Sequence, residues 1–182
     1  MKKFLQFAGL ISCGLALVAF ILLMATHALE YSASNSLAEA SAWYGGTAVI
    51  FGKGPAESSG SILGFGGTTS GTFEGSLAWN ALLAWIFALA AMLVLLLGIL
   101  IPLLKIKALA KFAGLLNLIA VGLLVVAGIF VFFTIPAFAG ANEWNSTDGW
   151  ALGAGWVISA ILLLVAGVVA VLPTAADLLS KK

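Results

Sequence analysis

Chemistry in a protein needs ionisable or nucleophilic side chains held together, and this sequence offers few of them. His27 is the only imidazole and stands three residues before Glu30. As a functional pair they would make a pH-responsive or ligand-binding site. As structure they are interfacial side chains meeting water or each other across one helical turn, and that is the expected reading. Cys13 is the single thiol and lies in an apolar run, so it forms no internal disulfide and seeds no cysteine-based metal site. No Ser-His-Asp arrangement, metal-ligand spacing or basic patch for nucleic acid can be assembled. The glycines of Gly64-Phe65-Gly66-Gly67 lack the Gly-Lys-Ser/Thr that a phosphate loop requires, and read as flexible chain. Asn145-Ser146-Thr147 fits an N-glycosylation acceptor pattern, which bears only on a eukaryotic source. The expectation is a protein without enzymatic activity, cofactor or metal, whose partners are membrane lipid and other membrane proteins, further copies of itself included, rather than nucleic acid.

The elements that must position these residues are set by composition. Of 182 residues, 63% are hydrophobic and 8% charged, against the roughly 25% charge of a soluble domain. Too few charges remain to cover a water-facing surface, so the surrounding medium must be largely lipid. Apolar stretches run over Phe4–Leu29, Leu77–Leu104, Phe112–Pro136 and Trp150–Leu172, without Asp, Glu, Lys or Arg. Each exceeds the ~20 residues that cross a hydrocarbon core as a helix, and helix satisfies the backbone within the segment. The predicted fold is all-α: a four-helix membrane bundle in one domain, 1–182, with outer loops at about 30–76 and 137–149. The first stretch is longer than the ~7–15 apolar residues of a signal peptide, so it is expected to stay as an anchor. Pro102, Pro136 and Pro173 lie near span ends and read as stops.

Lys2 and Lys3 precede the first span, Lys105, Lys107 and Lys111 fill the link between the second and third, and Lys181 and Lys182 end the chain. The positive-inside rule then places both termini and this link in the cytoplasm of a multi-pass cell-membrane protein. Glu30, Glu39, Glu57, Glu74, Glu143 and Asp148 fall outside, leaving Asp177 within. All six tryptophans, Trp43, Trp79, Trp85, Trp144, Trp150 and Trp156, map to the outer loops or outer parts of spans. They would anchor at the headgroups, with Trp85 and Trp156 deep enough to pack between helices.

Within the long outer loop, Ser36-Leu37-Ala38-Glu39 has capping-box spacing and predicts a helix ending at Gly45-Gly46. Thr47–Phe51 is β-branched and aromatic, and could pair as a hairpin with Ile62-Leu63-Gly64-Phe65. Residues 66–72 read as flexible chain. In the spans, Asn80 with Ala84, Ala88 and Ala91, Asn117 with Ala113 and Ala120, Gly149 with Gly153, and Ala166 with Ala170 form small-residue faces. Such faces let helices approach closely, chiefly inside the bundle and otherwise between protomers.

The order of a long first outer loop, a tight inner link and a short second outer loop resembles the claudin-like tetraspan membrane proteins. Trp43-Tyr44-Gly45-Gly46 is the feature nearest that family's first-loop signature, whose two cysteines this chain lacks. The resemblance implies an outer sheet carried by the first loop. With Lys-Lys at both ends and no loop cysteine, the chain also looks like small bacterial four-span proteins of unassigned function. The expected function is self-assembly or partner binding through the outer loops and small-residue faces. An oligomeric channel, or an accessory subunit of a transport complex, is the alternative.

Overall fold

The structure is a computed structural model that describes residues 2–104 and 112–179. The link lysines Lys105, Lys107 and Lys111, and the terminal Lys181 and Lys182, lie outside the described residues. Among the described residues, eleven elements follow in chain order. They are α1 (Lys2–Ala25), β1 (His27–Ser34), β2 (Ala38–Gly45), α2 (Gly46–Phe51), β3 (Lys53–Ile62) and β4 (Phe65–Glu74), then α3 (Trp79–Leu103), α4 (Ala113–Phe132), α5 (Thr134–Ala141), β5 (Trp150–Leu152) and α6 (Ala154–Leu179). Four helices are long and apolar enough to cross a membrane, over Phe7–Ala25, Trp79–Ile101, Ala113–Phe132 and Ala154–Leu172.

The all-α expectation is overturned. The five strands form one antiparallel sheet in the order β4-β3-β2-β1-β5. The predicted helix over 36–45 is instead a tight turn followed by β2. Asn35 Oδ1 accepts from the Leu37 and Ala38 amides at 2.9 and 2.7 Å, so the local signal is an Asx turn rather than a helix cap. Alanine is a good helix former, but here alanines alternate with Glu39, Ser41 and Trp43, which is the period of a strand. The predicted strand over 47–51 is the short helix α2, closed at Gly52 with φ +72°. Its Gly46, Ala48, Val49 and Ile50 are buried, so packing overrides the β-branched preference. Ile62–Phe65 is not a partner for that segment. It is the tip of the β3–β4 hairpin, whose two central residues, Leu63 and Gly64, have φ of 51° and 82°. That sign at both positions marks a primed turn, the kind that matches strand twist. Residues 66–72, read as flexible, form most of β4.

The span limits also shift. The first apolar run divides at Thr26, whose hydroxyl and amide both bond the Leu22 carbonyl, and Ala28 and Leu29 belong to β1. The third run breaks at Phe133, whose amide bonds Phe130 O in a tightened turn at 3.2 Å. Pro136 then falls in the first turn of α5, where its missing N–H costs least. Pro173 is no stop, because α6 continues through it to Leu179. Residues 150–152 open the fourth run as β5, pairing with Leu29–Tyr31.

By contact density the chain forms two compact units. One takes Ile86–Ile129 with the chain up to Phe20 and from Ser159 onward. It consists of helix segments in close contact: Ser12 Oγ donates to Ala166 O at 2.7 Å, and a side chain at Gly128 would press on Leu164 and the Ala160 carbonyl. The other takes Ile21–Trp85 and Phe130–Ile158, and contains the whole sheet with α2 and α5.

Candidate functional site

Strand alternation and register sort the sheet into two faces. Pairing aligns Glu30 with Trp43 and Trp43 with Glu57, then Ser32 with Ser41 and Ser41 with Ser59, then Ser34 with Glu39 and Glu39 with Ser61. Lys53 stands opposite Glu74 on the same face, with Nζ 2.6 Å from the carboxylate. Every glutamate of the first long connection therefore lies on one side of the sheet. The Ser41 and Ser59 hydroxyls share a hydrogen bond at 2.6 Å. Ser32, Ser34, Ser61 and Thr68 line a shallow groove of about 510 Å³ beside them. Glu39 and Glu57 have no ion-pair partner among the described residues.

His27 also belongs to this face. Its ring stacks on Trp43 with centroids 4.0 Å apart and planes 10° apart, and Nδ1 lies 3.5 Å from Glu30 Oε1. The proximity to Glu30 expected of a helical turn is present, but the two residues reach each other along β1. The contact is half exposed.

The opposite face carries no charged residue of the paired strands. Near the helices it carries an aromatic cluster with Tyr44 at its centre, within 5.0–5.9 Å of Phe73, Phe138, Trp144 and Trp150. Burial among these rings raises the Tyr44 hydroxyl above its ordinary pKa, because the phenolate would lose water. Farther along the strands this face holds Ala33, Ala40, Ala42, Ser58, Gly60, Gly67 and Thr69, and it reaches Ile62 and Phe65 at the tip.

The strands end in a tip where both hairpin turns meet. The Leu63 amide donates to Leu37 O at 2.8 Å, tying one turn to the other. Leu37, Ile62, Leu63 and Phe65 are 62%, 67%, 69% and 85% exposed, forming an apolar cluster without a charge. No residue from Ser32 to Tyr44, and none of β3 or β4, is buried. Among the described residues, both faces of this far half are partly or fully exposed. The free edge belongs to β4. In a two-residue hairpin the pair flanking the turn exchanges hydrogen bonds, so residues 66, 68, 70 and 72 turn their amides and carbonyls outward.

The residues singled out from sequence are scattered by comparison. Ala84, Ala88 and Ala91 are fully buried within the chain. Asn80 Nδ2 donates to Phe130 O at 2.9 Å, and Asn117 Nδ2 to Ala170 O at 2.7 Å. Gly149 and Gly153 do not share a helix face. Gly149, at φ +79°, closes the turn against Tyr31, and Gly153 joins β5 to α6 where a Cβ would overlap the His27 carbonyl. All six tryptophans fall in the sheet-bearing unit. Trp43, Trp144 and Trp150 belong to the sheet and its ring contacts. Trp85 meets Phe51 edge-on, Trp79 is 69% exposed, and buried Trp156 donates to Leu23 O at 3.0 Å. The tip, the glutamate face and the Tyr44 cluster were missed. Period-two alternation over 38–43 is the signal that reveals them.

Compared with models of protein families and with curated proteins, the chain matches none.

Proposed function

We propose that this chain is a non-enzymatic membrane protein whose sheet mediates assembly, with further copies of itself or with another membrane protein. The observation that carries the reading is the tip. Leu37, Ile62, Leu63 and Phe65 stand together and exposed at the far end of a sheet whose other apolar rings are packed. Exposed apolar clusters of this kind mark contact sites. The free β4 edge adds a row of unpaired backbone groups. The small-residue helix faces contribute less, since Ala84, Ala88 and Ala91 are already covered within one chain.

The same proposal includes the claudin-like layout and the orientation. A sheet fed by the first long connection fits that family, and the lysine distribution favours cytoplasmic termini in a bacterial cell membrane. Crosslinking in native membranes, followed by native mass spectrometry in mild detergent, tests the assembly reading. Multimers or a stoichiometric partner are expected; monomer alone, without a co-purifying protein, counts against it. Labelling of a C-terminal tag from outside intact cells would reverse the orientation.

A further inference from the structure

The two edges of the sheet are guarded differently. β5 is three residues long, and a short edge strand gives a partner little to pair with. β4 runs ten residues in unbroken register with β3, without proline or bulge, and carries no charge before Glu74 at its end. Among the described residues no strand but β3 pairs with it, and all of it but Phe73 is exposed. Its order is also nearly a mirror about Thr69: Phe65 answers Phe73, Gly67 answers Gly71, and Thr68 answers Ser70. The outward-facing groups, on residues 66, 68, 70 and 72, are symmetric about the same residue.

A closed contact between identical edges is two-fold, and two-fold pairing of neighbouring strands is antiparallel. Centred on Thr69, it sets 66 against 72 and 68 against 70, so each outward group meets its complement, roughly eight hydrogen bonds in all. The remaining positions form the close pairs: Phe65 against Phe73, Gly67 against Gly71, and Thr69 against itself. Phe65, 85% exposed in one chain, thereby lands beside the Phe73 that borders the Tyr44 cluster of the other. Any extended strand would satisfy the outward amides, but the mirror order serves only a second copy. We infer that β4 pairs with β4 of a second copy about Thr69, making one sheet with five strands from each chain. The end of each sheet where α1 stops and α3 and α6 start then lies beside the tip of the other. Copies joined in this way are held in two facing membranes. The inference rests on the proposal that the sheet mediates assembly, and names the partner, the edge and the register.

Disulfide trapping tests it. The full chain carries Cys13→Ala, which removes its one native thiol, together with Thr69→Cys. Two batches with different tags are placed in separate nanodiscs, mixed and mildly oxidised with diamide. At the two-fold, Thr69 and its copy stand about 4.5 Å apart at Cα, within disulfide reach, whereas Thr68 or Ser70 and its own copy are diagonal neighbours at roughly 7–8 Å. A disulfide joining the two tags is expected, forming at least about fivefold faster than with Thr68→Cys or Ser70→Cys in its place. Ser70→Pro beside Thr69→Cys removes an outward amide and no bond to β3, so it should cut linkage by about tenfold or more with an unchanged melting curve. Where its melting curve shifts, the scan over 68–70 decides alone. No linkage, a maximum at 68 or 70, or linkage indifferent to a well-folded Ser70→Pro overturns the inference. Dimers formed only between copies sharing one disc overturn it too, and leave the assembly reading standing. Monomer throughout, in native membranes as well, overturns both.

Discussion

The two ends of the sheet are built to opposite rules. The helix-proximal end is crowded: Tyr44 touches four other rings, Trp156 is buried, and a side chain on Gly46 or Gly153 would strike backbone. The far end is mostly serine, glycine, alanine and threonine, ends in exposed apolar tips, and holds no fully buried side chain among the described residues. Fit is therefore spent where the strands meet the helices, while the far end is held by register and turn geometry alone. Substitutions should separate along this line, with stability losses at one end and binding losses at the other.

The largest stability effect is expected from Trp156→Ala, which opens a cavity and orphans the Leu23 carbonyl. A loss of about 4 kcal/mol is expected in reversible unfolding in detergent micelles. Gly46→Ala follows at about 3 kcal/mol, because its Cβ would overlap the Leu23 carbonyl, and that backbone cannot swing aside as a side chain does. A mild effect of either would mean the crowded end is looser than its geometry. Asn117→Ala, whose amide reaches Ala170 O between helix segments, should cost only about 0.6 kcal/mol. Smallest is Tyr44→Phe. The hydroxyl's raised pKa means the folded chain holds the proton more tightly than the unfolded one. Its contribution is complete below the ordinary tyrosine value of 10.0 and declines as pH rises above it. The phenylalanine variant should lose less stability between neutral and strongly alkaline pH than the parent, read by chemical denaturation. At the far end, Leu63→Asp and Phe65→Leu should change stability by no more than about 0.5 kcal/mol. A larger shift would erase the distinction between the two ends.

The four apolar helices were legible from length and composition, since nothing else makes uncharged runs of that size. The sheet was only half legible. Ser36-Leu37-Ala38-Glu39 satisfies a helix-start pattern and also a strand turn. What decides is Asn35, one residue earlier, whose side chain caps the turn amides. Thr47–Phe51 has the composition of a strand, yet burial between Gly46 and Gly52 makes it a helix, and burial is a tertiary fact that a local window cannot hold. Trp150–Leu152 looked like the start of a span because its strand partner β1 lies 119 to 123 positions earlier, where Tyr31 meets Trp150 and Leu29 meets Leu152. At the site, the tip's residues were noticed as an apolar patch. Their meeting with Leu37 required the register of two hairpins.

Only Thr26 separates α1 from β1, and only Gly153 separates β5 from α6. Those two strands are paired to each other. There is no slack linker to take up strain at either junction, so tension applied at the hairpin ends would load the helices directly through the β1–β5 seam. Extension under pulling should begin with rupture of that three-residue seam rather than with uncoiling of loose chain.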